Sequence, residues 1–254
     1  MDRWRGKVAI VTGASAGIGA AIAEKLVEEG LQVVGFARRH QRIEARSQKL
    51  KNHKGKLYAV KVDVTQEEDI LKGFKWVAEN VGPVHILINN AGVLQHTNLT
   101  SGDTSKWKKV FDTNVLGVCI ATREAVKIMK ANKIDGHIVN INSICGHRVP
   151  YTFPDANVFP ASKYALRAVT ETLQQELQSL GLKIKVSSVS PGAVYTEIIR
   201  ATVSQSLDST FADTLKTMPT LQATDVAEAV LYALSTPPHV QIEDIIIRPV
   251  GDLI

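Results

Sequence analysis

Short runs of β-branched and apolar residues alternate along the chain with longer stretches in which apolar residues recur every three or four positions. "KVAIVTG" (7–13), "QVVGFA" (32–37), "LYAVKVDV" (57–64) and "VHILINNAG" (84–92) read as strands, followed by "HIVNINS" (137–143), "KIKVSSVSPG" (183–192) and "EDIIIRP" (243–249). Several of these are apolar on both faces, the pattern of parallel strands covered by helices on each side. "GIGAAIAEKLVEEG" (17–30) and "ALRAVTETLQQELQSLG" (165–181) carry the helical period, and each ends at a glycine suited to a helix C-cap. Strands alternating with helices predict an α/β fold, a doubly wound parallel sheet of about seven strands with right-handed crossovers. No Pro- or Gly-rich linker and no repeat interrupts the pattern, so one domain is expected over residues 1–254.

The rhythm breaks once. From Tyr195 to about Gln222 the chain is polar, before a helix with Thr224 as its expected N-cap. A long excursion at the carboxyl end of a strand is where such sheets bind ligands, which makes 195–222 a substrate-lid candidate.

Composition adds limits. With 44% hydrophobic and 22% charged residues the chain has the balance of a soluble globular protein. No apolar run reaches the roughly 18 residues of a membrane helix, and the opening "MDRWRGKVAIVTG" lacks the apolar stretch of a signal peptide, so no membrane insertion and a cytoplasmic location are expected. Cys119 and Cys145 are too few for a disulfide framework or a zinc ligand set, and no metal site is expected. Much of the net charge of +5 comes from "ARRHQRIEARSQKLKNHKGK" (37–56). No nucleic-acid motif accompanies that run, so a solvated helix face is the expected role of most of it and nucleic acid is not an expected partner.

Chemistry concentrates at strand ends. "TGASAGIG" (12–19) follows the first strand and opens the first helix, where Gly13, Gly17 and Gly19 let the backbone approach a pyrophosphate and the helix N-terminus presents free N–H groups to it. The second strand ends "GFARRH", with no acidic residue to hold the adenosine ribose hydroxyls of NAD. Arg38 and Arg39 suit the 2′-phosphate of NADP instead, with Ser15 adding a hydroxyl. Asp63, ending the third strand, suits either the adenine amino group or the cap of the following helix.

With "NNAG" (89–92), Asn114 in "DTNVLG", Ser143 in "INSICG", Lys163 in "ASKYAL" and "PGAVYT" (191–196) in the same order, the chain resembles the classical short-chain dehydrogenases/reductases over nearly its whole length. "GHRVP" (146–150) and "VQIEDIIIRPVGD" (240–252) resemble the insect farnesol dehydrogenase-type branch, which is also similar to a vertebrate cytosolic reductase of steroid-like ketones. The resemblance implies an NADP(H)-dependent alcohol/carbonyl oxidoreductase with a lipophilic substrate, such as a terpenoid alcohol or a steroid-like ketone. It implies a homo-dimer or homo-tetramer, with the Lys163 helix and residues 107–129 as contact faces. Ile18, Val64, Asn90, Ala91 and Gly92 would line the cofactor channel. Pro191, Gly192, Val194 and Thr196 would hold the carboxamide end of the nicotinamide. Asn114 would hold a water of a proton relay, Ser143 would bond the substrate oxygen, and Lys163 would bind the nicotinamide ribose and lower the pKa of a neighbouring tyrosine.

That tyrosine is missing. Its position, four residues before Lys163 and on the same helix face, is Phe159. A phenol supplies the proton that a carbonyl oxygen needs as hydride reaches its carbon, and a benzene ring has none to give. Three other phenols could stand in: Tyr164, turned about 140° around the helix from Phe159, Tyr151 in the loop after Ser143, and Tyr195, the better candidate because the family's layout puts it near the nicotinamide. Two origins stay open for the phenylalanine: a natural exchange leaving a weak enzyme or a non-catalytic binding protein, or a designed Tyr-to-Phe exchange that keeps a ternary complex intact. In either case the expectation is cofactor binding near normal and turnover lowered about 10²- to 10⁴-fold.

Overall fold

The computed structural model describes residues 1–149, 158–198 and 218–252. Seven parallel strands form one sheet: β1 (Val8–Thr12), β2 (Gln32–Ala37), β3 (Lys56–Lys61), β4 (Val84–Asn89), β5 (His137–Ile141), β6 (Lys185–Pro191) and β7 (Asp244–Ile247). Their order is β3-β2-β1-β4-β5-β6-β7. The chain starts at β1, winds outward to β3, then returns past β1 to β4 and winds the other way. This is the expected doubly wound Rossmann-type topology, and its switch point falls between β1 and β4.

The two-faced burial of the strands follows from the pleat, which sends successive side chains to opposite faces. Ala9, Val11, Val33, Ile86 and Ile88 enter one core layer with Ile22 and Leu26 of helix α1 (Gly17–Glu28) and Val226 and Val230 of helix α7 (Ala223–Ser235). Val8, Ile10, Val34, Val84 and Leu87 enter the other. They meet α3 (Glu67–Asn80) through Phe74, α5 (Gly117–Ala131) through Met129 and α6 (Val158–Ser179) through Leu177. α2 (His40–Lys49) sends only Ile43 inward, so its basic side chains stay on the outside.

The two glycine stops behave as expected. Gly30 (φ +92) and Gly181 (φ +65) adopt the left-handed conformation that closes a helix, and the next residue bonds back into the last turn, Leu31 to Leu26 and Leu182 to Leu177, both at 3.0 Å. Two expectations shift. α6 begins at Val158, seven residues before the periodic stretch, because Pro160 sits in its first turn where no N–H is needed. The cap of α7 is Gln222 rather than Thr224: the Gln222 N–H donates to the Asp225 carboxylate at 2.8 Å, and the Gln222 side chain accepts in return from the backbone of Asp225, a reciprocal pair that Thr224 does not make.

The lid candidate at 195–222 falls mostly on 199–217, outside the described residues, as does Tyr151. Its two ends are joined: Tyr195 N–H donates to the Leu221 carbonyl and Leu221 N–H to the Ala193 carbonyl, both at 2.8 Å. No helix among the described residues is long and apolar enough to cross a membrane.

Candidate active site

A cleft of about 580 Å³ opens at the carboxyl ends of the strands, over the switch point. Its floor is the turn after β1. Gly13 takes φ +70, and a Cβ there would stand 2.9 Å from Ala91 Cα; a Cβ on Gly19 would stand 2.6 Å from the Gly13 carbonyl oxygen. Backbone therefore lies bare where a side chain would fill the space. The N-terminus of α1, capped by Ala16 with no side-chain hydrogen bond, faces the same turn with its N–H groups free for an anion. Ser15, Gly17 and Ile18 line this floor.

Asn90 welds the turn to β4. Its Nδ2 donates to the Thr12 carbonyl at 2.9 Å, while the Thr12 hydroxyl accepts from the backbone N–H groups of Asn90 and Ala91, each at 3.0 Å. Nothing in the sequence beyond its place at the head of the glycine motif marks Thr12 for this role. Ala91 and Gly92 continue along the wall.

At one end of the cleft stand Arg38, Arg39, Asp63 and Val64. Asp63 does not cap α3, whose N-cap is Gln66. One carboxylate oxygen accepts from the Thr65 N–H at 3.0 Å and from its hydroxyl at 2.8 Å, and the other lies 3.9 Å from Arg38. Arg39 donates to Glu197 at 2.7 Å and Arg42 to the other oxygen of the same carboxylate at 2.6 Å, and these two contacts hold the Glu197 carboxyl below its usual pKa. Nothing in the sequence marks Glu197, which meets α2 across more than 150 residues. Arg46, also in the basic run, pairs with Glu24.

Pro191, Gly192, Val194 and Thr196, from the end of β6 and the segment after it, also line the cleft, as do Ser143, Phe159 and Lys163. Ser143 opens a 3₁₀ turn (Ile144–Gly146) and its Oγ accepts from the Cys145 N–H at 3.1 Å. Lys163 is 6% exposed. Its Nζ donates to the Ile141 carbonyl at 2.9 Å and lies 5.7 Å from the centre of the Phe159 ring. Burial pushes its pKa down to about 8, partly opposed by the nearby Cys145, whose own thiol is pushed up by burial.

Asn114 stands behind the wall rather than in it. It lies on a single π-helical turn (Asp112–Leu116) between α4 (Thr104–Phe111) and α5, an irregularity that recurs at functional sites. Its Oδ1 accepts from the Val93 N–H at 2.9 Å; its Nδ2 donates to the Val93 carbonyl and to Ser162 Oγ, both at 3.0 Å. Ser162 in turn donates to the Phe159 carbonyl at 2.7 Å. The amide thus braces the Val93 wall against the first turn of α6.

Tyr195 does not fill the gap left by Phe159. It is 54% exposed and faces a separate polar recess with Glu24, Arg46 and Ala223. Tyr164, 41% exposed, points away from the cleft, as its place five residues along the helix requires. His147 anchors the Ser143 turn to the sheet through Asp244 of β7 at 2.8 Å and Ser190 of β6 at 3.1 Å. Among the described residues no group of three His, Cys, Asp or Glu side chains is placed to hold a metal.

The bare backbone turn, the uncapped helix end and the paired guanidiniums fit a dinucleotide. Comparison with known proteins agrees. The family description for short chain dehydrogenase matches residues 7–207. The chain is 47% identical to the farnesol dehydrogenase of Aedes aegypti over 254 residues, 99% of each chain. It is also 47% identical to dehydrogenase/reductase SDR family member 11 of Bos taurus over 98% of each. Its fold superposes with a TM-score of 0.83 on an alcohol dehydrogenase from the archaeon Thermococcus sibiricus, complexed with 5-hydroxy-NADP, at 25% identity over 97% of each chain. The chain belongs to the short-chain dehydrogenase family of oxidoreductases, whose fold carries a nicotinamide cofactor.

Proposed function

We propose that the chain is an NADP(H)-dependent alcohol/carbonyl oxidoreductase for a lipophilic alcohol, aldehyde or ketone, with turnover strongly lowered by Phe159. The observation that carries this reading is the meeting on one cleft of the Gly13 turn, the Arg38 and Arg39 guanidiniums and the Ser143–Lys163 pair. The glycine floor and the N-terminus of α1 would take the pyrophosphate, and the two arginines would take the 2′-phosphate. Lys163, already facing the cleft, would bond the nicotinamide ribose. When bound, the nicotinamide gives or takes the hydride.

Ser143 would hold the substrate oxygen by a hydrogen bond. With no phenol at 159, that oxygen has no direct proton partner of matched acidity, so charge developing on it is only weakly neutralised. The substrate class rests on the apolar side chains lining the cleft, among them Val93, Leu94, Ile144 and Ile198, and on the likeness to a farnesol dehydrogenase. A terpenoid alcohol such as farnesol, or a steroid-like ketone, suits such a wall.

The reading treats 1–254 as one catalytic domain in the cytoplasm, supported by a single sheet running from β1 to β7 and by two cysteines that are free thiols. It includes a homo-dimer or homo-tetramer, supported by Phe111, Leu116 and Tyr164, which expose apolar surface on α4, the π turn and α6. Phe159 itself favours a second reading, a protein that holds NADP and an apolar ligand without chemistry. The test pairs binding with turnover. Titration by nicotinamide fluorescence should show NADPH bound at least about tenfold tighter than NADH. Absorbance assays with terpenoid alcohols, aldehydes and steroid ketones should show slow but measurable NADPH-linked turnover. Tight NADPH binding with no turnover on any substrate selects the second reading.

A further inference from the structure

The segment after β6 crosses the glycine floor: Thr196 Cγ2 lies 3.3 Å from where a Cβ on Gly17 would stand. One residue later Glu197 reaches the opposite wall and closes on Arg39 and Arg42, one oxygen to each, at 2.7 and 2.6 Å. The carboxylate is 40% exposed, and the two guanidiniums that donate to it hold its pKa below the usual carboxylate value. Arg38 is held much more loosely, 3.9 Å from Asp63. One of the two arginines that suit a ribose 2′-phosphate therefore already has an internal anion.

We propose that Glu197 is a cofactor-selectivity residue, an internal competitor that occupies Arg39 until the 2′-phosphate of NADP displaces it. Arg38 receives the phosphate first. Arg39 then exchanges a monodentate carboxylate contact for a phosphate oxygen, while Glu197 keeps Arg42 as its partner. NAD, which carries no 2′-phosphate, leaves the Glu197 contacts intact, so the competition falls on NADP alone. The inference rests on the reading that Arg38 and Arg39 face the 2′-phosphate. Because the pair is solvent-exposed and exchanged rather than simply broken, its effect is modest and sensitive to salt.

The test measures dissociation constants of NADPH, NADH, 2′,5′-ADP and 5′-AMP for the native chain, Glu197→Gln and Glu197→Ala. The ionic strengths used are on the order of 20 mM and 0.5 M. Both variants should bind NADPH and 2′,5′-ADP about three- to tenfold more tightly at low salt, with the gain shrinking at high salt. NADH and 5′-AMP should be unchanged, which also reports intact folding. A native chain that prefers NADPH while neither variant tightens it overturns the role of Glu197. Equal weakening of both dinucleotides in the variants overturns it too, since that result makes Glu197 a strap over any bound cofactor. A native chain with no preference for NADPH over NADH brings down the cofactor reading itself.

Discussion

The ammonium of Lys163 stands 5.7 Å from the centre of the Phe159 ring and donates to the Ile141 carbonyl. The lysine is therefore preorganised beside an aromatic ring that cannot answer its field. Its burial lowers its pKa to about 8, so it is a cation at neutral pH in a place that disfavours cations.

That burial has a consequence for stability. The charged form costs the fold in full below pH about 8, and the cost is relieved as pH rises from there toward the ordinary lysine value of 10.5. Over that window the unfolded chain binds the extra proton, so stability rises with pH. Lys163→Met should be more stable than the native chain at pH 7, by up to roughly 3 kcal/mol less the lost bond to Ile141. Urea denaturation from pH 7 to 10 should show the gap closing. A gap that does not change with pH contradicts the buried-cation account.

Asn114 braces two elements through one side chain. Asn114→Ala strands the N–H and C=O of Val93 and removes a donor to Ser162. The expected loss is about 1–3 kcal/mol, a fall in melting temperature of several degrees for a chain of this size. Differential scanning calorimetry reads it directly; an unchanged melting temperature would mean that Val93 finds other partners at no cost.

The glycine floor gives a paired prediction. Gly19→Ala puts a methyl 2.6 Å from the Gly13 carbonyl oxygen, so it should weaken NADPH binding at least about tenfold and also lower stability. Gly181→Ala meets nothing within 4 Å but must hold φ +65, so it should cost about 1 kcal/mol and leave cofactor binding alone. Equal effects of the two on NADPH affinity, by titration, would separate the cleft from the Gly13 turn.

The sheet was legible because its strands are apolar on both faces and its helices carry clear periods and glycine stops, all of them local signals. The members of the cleft were legible as motifs for the same reason: Gly13, Ser143 and Lys163 sit at strand or helix ends in fixed local settings. What escaped depends on distance in sequence. Glu197 meets Arg39 across the cleft, and His147 meets Asp244 over nearly a hundred residues of sequence. The cap of α7 was misread by two residues because a Gln–Asp reciprocal pair competes with the simpler threonine cap. The family's layout puts Tyr195 near the nicotinamide, but here its side chain lines the separate recess with Glu24 and Arg46.

The most direct test of the whole account is the rate ratio between Phe159→Tyr and the native chain, at saturating NADPH and a carbonyl substrate that both bind. The account predicts a gain in kcat of at least about 10²-fold with little change in the dissociation constant for NADPH, because only a phenolic hydroxyl is added beside a lysine already in place. A ratio near one, with NADPH bound equally by both, would show that the proton comes from elsewhere or that the cleft serves binding without chemistry.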